Sequence, residues 1–216
     1  MPHKQMISAT ADEAWGAAIA AQRINQGYIK SPVHDQSGDI VKQTNRAIAY
    51  SILNDKQDRV TDEDKEKIEI IKNHFRQLSF KILTGKALND YEATVSRIIE
   101  NDMFTSPYDF AVLVSLPQSY ERDIDNQARE QDLKENSVDE FLAPVKTRVD
   151  AKIRIVKSVY SRKYDTYFMN GLTESNHRVF FAYRSDLEVD STVSVRGTVK
   201  GHRDPFTTQL NRVKVM

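Results

Sequence analysis

The sequence predicts an α+β protein, with a helical N-terminal part followed by a small C-terminal β-barrel. In residues 10–116 apolar residues recur every three or four positions, whereas from Lys146 they alternate with polar residues. The two parts also differ in charge. Residues 146–216 contain fourteen Lys/Arg and seven Asp/Glu, and residues 1–145 contain seventeen and twenty-four. This asymmetry favours a nucleic-acid or acidic partner for the basic part; the alternative is two solvated surfaces that merely differ.

Composition restricts the class of protein. The 216 residues fit one or two domains, and the lack of cysteine excludes disulfide scaffolds, thiolate zinc sites, iron–sulfur clusters and cysteine nucleophiles. No apolar run reaches the ~18 residues of a membrane span. The N-terminus lacks the apolar stretch of a secretion signal. We therefore expect a cytosolic protein, in the host cytoplasm if it is viral, with no membrane association.

The first two helices are indicated by a capping box and by apolar spacing. Thr10 and Glu13 stand three residues apart before an Ala-rich run, and Gly27 is placed to end that helix. The Ser-Pro and Ser-Gly pairs of residues 30–39 predict a loop. A second helix is expected over residues 42–53.

Three further helices complete the predicted helical domain. An acidic first turn after Thr61 begins a helix that Gly85 is expected to end. Asn89 and Glu92 repeat the capping pattern for the next helix, and Ser106-Pro107 begins a short one that runs to about Leu116. Residues 1–116 are thus predicted to form a domain of about five helices.

The helical part contains no pattern typical of an enzyme. His34-Asp35 resembles a metal-binding dipeptide, but the other histidines have no ligand spacing around it, so a solvated loop is expected there. Phosphate-binding loops, dinucleotide fingerprints and nucleophile elbows are also missing from the sequence. We expect no catalytic residues, no metal site and no cofactor.

Residues 117–145 are predicted to connect the two domains. Residues 121–140 contain eight acidic and three basic residues and few apolar ones. Such a segment is either a long solvated helix or a flexible acidic linker. It could occupy a phosphate-binding surface and inhibit it, or it could only increase solubility.

Residues 146–216 are predicted to contain five strands. The expected strands cover residues 146–160, 164–172, 177–184, 192–200 and 207–215. Five short strands in about seventy residues, with a pause between the third and the fourth, indicate an OB-fold-like barrel. Only about seven residues join those two strands, so the helix often found there is reduced or absent. An SH3-like barrel is the main alternative, because spacing does not report strand pairing.

The last two predicted strands contain a distinctive pattern within residues 193–215: a valine-rich strand, a glycine, Lys200-x-His202, a short turn and Thr-x-Leu-x-Arg-Val-Lys. In this pattern they resemble the strands of OB-type modules in phage DNA-metabolism proteins. This stretch covers about one tenth of the chain. The resemblance implies single-stranded DNA binding in phage-type DNA replication or recombination.

Candidate nucleic-acid contacts lie where OB-folds bind oligonucleotides, on strands two and three and on the turns joining strands 1–2 and 4–5. Long cations there suit phosphates, and aromatic rings suit stacked bases. The candidates are Arg162, Lys163, Tyr164, Tyr167, Arg178, Phe180, Arg184, Lys200, His202 and Arg203. Strand alternation is expected to direct Phe168 and Phe181 into the barrel, and Tyr167 and Phe180 outward. Core packing remains the alternative role for Tyr164, Tyr167 and Phe180.

Two functions are consistent with these patterns. In the first, the barrel binds single-stranded DNA, with RNA not excluded, and the helices serve self-association or partners. In the second, the protein is a recruitment adaptor whose helical domain, or acidic connector, docks a replication or recombination protein or a nuclease.

Overall fold

The computed structural model describes residues 8–55, 59–83 and 87–216. The chain divides into two compact units, Met1–Ile124 and Asp125–Met216. The first is helical and the second contains a closed five-stranded β-barrel, which confirms the predicted α+β class. The division at Ile124 falls inside the segment 117–145 that the sequence indicates as a connector.

The first unit is built from helices and two short β-ladders. In chain order its elements are β1 (Ala9–Thr10), α1 (Ala11–Asn25), β2 (Val33–His34), β3 (Ile40–Lys42), α2 (Asn45–Asp55), α3 (Asp62–Leu83), α4 (Asp90–Ile99), β4 (Met103–Phe104), α5 (Pro107–Leu113) and the beginning of α6 (Leu116–Glu135). β1 pairs with β4, and β2 pairs with β3, both antiparallel. Gly85, expected to end α3, lies outside the described residues.

The helix starts follow the capping patterns in the sequence. Thr10 and Glu13 form the reciprocal capping box of α1, and Asn89 and Glu92 form that of α4. The predicted loop at 30–39 is wrong in part, since β2 lies within it and pairs with β3, which directly follows it, as a small hairpin. Asp35 stabilises its turn, because its Oδ1 accepts hydrogen bonds from the backbone N–H groups of Ser37 and Asp39.

The core of the helical unit is centred on α1. Trp15 is fully buried there together with a run of alanines, and Phe110 and Leu113 of α5 and Ile98 of α4 belong to the same apolar cluster. The small alanine side chains allow α1 to be buried on nearly every side. None of the helices in the described part of the chain is long and apolar enough to cross a bilayer.

One buried carboxylate links α1 to the start of α3. The Asp64 side chain is 0% exposed; Arg23 donates to both of its oxygens at 2.9–3.2 Å, and the Thr61 N–H donates at 2.9 Å. Burial alone would raise the pKa of Asp64, but the hydrogen bonds from Arg23 and Thr61 outweigh it and hold the pKa below its ordinary value. The ionised form of Asp64 therefore stabilises the folded state.

We expect acid to remove this stabilisation. Because the folded pKa lies below the unfolded value of ~4, the contribution is present above pH ~4 and is lost as the pH falls through the folded value. Asp64→Asn should lower the free energy of unfolding by about 1–2 kcal/mol at pH 7 and by less at pH 3. Urea unfolding followed by helical circular dichroism at the two pH values measures this. An Asn variant with the same deficit at both pH values would contradict it.

The second unit contains the barrel. Its strands are β5 (Arg148–Ser161), β6 (Thr166–Thr173), β7 (Arg178–Tyr183), β8 (Thr192–Arg203) and β9 (Thr207–Val215). They close in the order β5-β6-β7-β9-β8, with β5 antiparallel to both β6 and β8 and with β7 parallel to β9. This closed mixed barrel is consistent with the predicted OB-fold, and the parallel pair of third and fifth strands distinguishes it from the SH3-like alternative.

The core of the barrel is formed by alternate residues of its strands. Ile153, Met169, Phe181, Val195 and Leu210 are fully or almost fully buried inside it. No helix forms in residues 184–191 between β7 and β8. The last strand pair is longer than the sequence indicates, since β8 continues to Arg203 and the turn comprises residues 204–206.

The end of α6 covers one side of the barrel. Leu133 is buried in one small cluster with Val156 of β5 and Leu172 of β6. Asp132 accepts two hydrogen bonds from Arg154 at 2.8 and 3.1 Å, which lower the pKa of Asp132. Residues 125–135 are therefore a helical part of the barrel unit, and the helical form of the connector is the one observed.

Residues 137–145, called the strap here, run along the barrel after α6. The Leu142 N–H donates to Thr208 Oγ1 at 3.0 Å, and the Val138 N–H donates to the Asn176 carbonyl at 3.0 Å. Leu142 and Ala143 pack against the barrel core. Backbone and side-chain contacts thus fix the strap to the barrel.

Candidate nucleic-acid interface

The outward face of β6 and β7 is set by strand register. Tyr167 pairs with Tyr183, and Met169 with Phe181; all four contribute to the barrel core or pack against it. The alternate residues of β6, among them Phe168 and Asn170, therefore face outward. The expectation that Phe168 points inward and Tyr167 outward is wrong, because Met169 takes the interior position.

Three aromatic rings form a continuous row on this face. Tyr164, in the turn between β5 and β6, lies edge-on to Phe168 with ring centroids 6.0 Å apart. Phe168 lies 5.7 Å from Phe180 of β7, with the ring planes only 18° apart. Tyr164 is 60% exposed, and the other two rings are half-buried. This arrangement, called the aromatic row here, offers apolar ring surface to a planar ligand.

A cation lies at each end of the aromatic row. Lys163 Nζ is 5.2 Å from the centroid of the Tyr164 ring. At the other end, the Arg203 guanidinium carbon is 4.4 Å from the centroid of the Phe180 ring, and Arg203 Nε donates to Gln209 Oε1 at 3.1 Å. The row is therefore bounded by positive charge, from the turn between β5 and β6 at one end and from the last residue of β8 at the other.

The cations beside the row differ from several others on the barrel in having no carboxylate partner within the described part of the chain. Lys152, Arg154, Lys157 and Arg196 each form an ion pair with a carboxylate. Among the described residues, no such pair is formed by Arg162, Lys163, Lys200 or Arg203. The turn between β5 and β6 does contain Asp165, which accepts a 2.6 Å hydrogen bond from the Tyr160 hydroxyl. Cationic groups thus remain available beside the row.

Some predicted contacts are engaged elsewhere. Tyr167 packs against the barrel core and lies 5.0 Å from the Tyr160 ring. Arg178 Nε donates to Ser137 Oγ of the strap at 2.7 Å. His202 stacks on Phe141 of the strap, with centroids 3.9 Å apart, and its Nε2 lies 3.0 Å from the Ala143 carbonyl. The structure therefore places Arg178 and His202 in contact with the strap.

The remaining candidates are exposed. Arg162 lies in the turn between β5 and β6, Arg184 directly follows β7, and Lys200 lies at an irregularity in the pairing of β8 with β9. The structure thus brings Lys163, Tyr164, Phe180 and Arg203 together through one neighbouring residue, Phe168.

Three residues of this face are not among the predicted contacts: Phe168, Asn170 and Gln209. Phe180 is paired directly with Asn170 on β6 and with Gln209 on β9, so Phe180, Asn170 and Gln209 share one face of the sheet. Asn170 carried the signal that could have corrected the register of β6. Asn170 lies two residues after Phe168 on β6, so the two side chains face the same side of the sheet. Because burying a carboxamide in an apolar barrel interior is costly, that side is the outer one.

Chemically, the site offers ring faces, cations and carboxamides, and it contains no cluster of acid and base groups. Within the described residues, no three His, Cys, Asp or Glu side chains converge as metal ligands would. No family model, no curated protein and no solved structure is significantly similar to this chain.

Proposed function

We propose that this protein binds single-stranded nucleic acid, in the first instance DNA, across β6 and β7 of its barrel. The observation that supports this is the aromatic row with Lys163 at one end and Arg203 at the other. Single-strand binding requires ring faces for base stacking and a positive groove for the phosphates. A duplex would hide the base faces that such a surface contacts, so a single strand is the better ligand.

The position of the row agrees with the fold. OB-fold proteins bind oligonucleotides on their second and third strands and on the loops joining strands 1–2 and 4–5. The row lies on β6, β7 and the turn between β5 and β6, and Arg203 directly precedes the turn between β8 and β9. The resemblance of residues 193–215 to phage OB-type modules adds the expectation of a role in DNA replication or recombination. Since a fold alone does not define function, the proposal depends on the side chains.

The salt dependence of binding tests the role of the cations. We expect Arg162→Ala/Lys163→Ala in the full-length protein to weaken binding of all single-stranded sequences alike. It should also flatten the slope of log K against log salt by ~0.7 for each phosphate that the variant no longer neutralises. Fluorescence anisotropy with single- and double-stranded DNA and RNA over a salt series measures both quantities.

A matched variant controls for the change in net charge. Arg148→Ala/Lys214→Ala removes two exposed cations from β5 and β9, away from the aromatic row, and should leave the salt slope nearly unchanged. If the Arg162/Lys163 variant keeps both affinity and slope, this face is not the binding surface. Recruitment of a protein partner by the helical unit would then be the better proposal.

A further inference from the structure

The surroundings of Phe180 contain groups that can recognise the edge of a base. Asn170 flanks this ring on one side and Gln209 on the other, at the same level of the sheet. A base that stacks over Phe180, or over the guanidinium that covers it, would lie close to both carboxamides. Carboxamides carry both donors and acceptors, so they can distinguish bases that a ring face alone cannot.

The orientation of the Gln209 carboxamide is fixed by Arg203. Arg203 Nε can only donate, so the Gln209 atom 3.1 Å away from it is the acceptor Oε1. The guanidinium is itself held over Phe180 at 4.4 Å. The NH₂ group of Gln209 is therefore the part directed away from Arg203, and its two N–H donors form no hydrogen bond with the described residues.

We propose that Gln209 is a specificity-determining residue, which favours bases with a carbonyl group at C4, thymine and uracil, over cytosine with its amino group. The C4 carbonyl accepts a hydrogen bond from the Gln209 NH₂, whereas cytosine has an amino donor at C4 and must shift to accept at N3 or O2 instead. Asn170 has no fixed orientation of this kind and adapts to either base. This inference rests on the proposed single-strand binding and adds a base preference to it.

Thymine and cytosine provide the sharpest comparison. Both are pyrimidines, so the general preference for flexible, weakly stacked pyrimidine strands applies to both. With the full-length protein we expect oligo-dT and oligo-dU to bind about three- to ten-fold more tightly than oligo-dC of the same length, the effect of one net hydrogen bond. Competition anisotropy at a single salt concentration measures this ratio.

Two variants of Gln209 test the cause. Gln209→Glu keeps an acceptor for Arg203 and replaces the NH₂ donor by an oxygen, so the dT/dC ratio should fall to about one or below. Its added negative charge weakens both oligonucleotides and cancels in the ratio. Gln209→Met removes the donor without adding charge, and should also bring the ratio to about one. Gln127→Glu, at an exposed position of α6, adds the same charge elsewhere and should leave the ratio unchanged.

The outcomes separate the two proposals. Tight binding of both oligonucleotides with a wild-type ratio near one, or a ratio that survives in Gln209→Glu and Gln209→Met, overturns the base preference and leaves single-strand binding in place. A lack of binding to every oligonucleotide overturns both.

Discussion

Replacing both Phe168 and Phe180 by alanine is expected to weaken binding of single-stranded DNA by about 2–6 kcal/mol. Each stack between an aromatic ring and a base contributes ~1–3 kcal/mol, and the two rings are nearly parallel neighbours in the aromatic row. The salt slope should change little, since neither ring carries charge. Anisotropy over a salt series, on the same samples as those used for Arg162→Ala/Lys163→Ala, measures both effects.

Controls separate stacking from packing. Phe168→Leu/Phe180→Leu keeps apolar cover over the sheet but removes the flat rings, so it should lose affinity while melting close to the wild type. Phe181→Ala empties a position inside the barrel and should lower the free energy of unfolding by about 3–5 kcal/mol. Tyr108→Ala removes an exposed ring from the helical unit and should alter neither quantity. Wild-type affinity in the double-alanine variant would exclude the row as the binding face.

A large loss of stability is also expected for Gly171→Ala. Gly171 lies on β6 opposite Ile155, next to an irregularity in the pairing of β5. A Cβ atom there would press on the carbonyl oxygen of Arg154 and lie 2.6 Å from Ile153 Cγ2. The backbone oxygen cannot rotate away, so we expect a loss of about 3 kcal/mol or more in the free energy of unfolding.

Gly201→Ala is the matched control for this substitution. It lies on β8 of the same barrel, and a Cβ atom built there meets no heavy atom within 4 Å. Alanine at that position should be neutral or slightly stabilising, since it restricts the unfolded chain. Thermal and urea unfolding of the two variants, followed by a spectroscopic signal of the barrel, compares their free energies of unfolding. Equal stability of the two variants would show that β5 can move away from Gly171.

The hydrophobic period of the sequence predicts most elements of the fold. Thr10, Asn89 and Ser106 cap the helices whose starts they predict, because capping is a local property of a few residues. The hairpin of β2 and β3 was missed, since its Ser, Pro and Gly residues are also those of an irregular loop. The strap was missed because its contacts, such as Leu142 with Thr208, join residues far apart in the chain.

The candidate site was predictable in its location but not in its register. Strand order alone predicts that the site lies on β6, on β7 and at the turns that follow β5 and β8. Those elements contain Lys163, Tyr164 and Phe180, and Arg203 directly precedes the second turn. Which residue of the Tyr167-Phe168 pair faces outward depends on how β6 pairs with its neighbours, and the irregularity in the β5 pairing near Gly171 has no clear signal in the sequence. The position of Gln209 beside Phe180 depends on the parallel pairing of β7 and β9, which spacing does not reveal.

That parallel pairing also makes one seam of the barrel weaker than the others. β7 and β9 are registered only from Arg178 to Phe180 and from Thr207 to Gln209, whereas β5 is paired with β6 over most of its length. Transient local opening, detected as amide hydrogen exchange, should therefore be easiest along this seam. Phe180 and Gln209 face each other across it, so a nucleotide held by both would bridge the two strands and suppress the opening. In this way the ligand would stabilise the closed barrel at its shortest strand pairing.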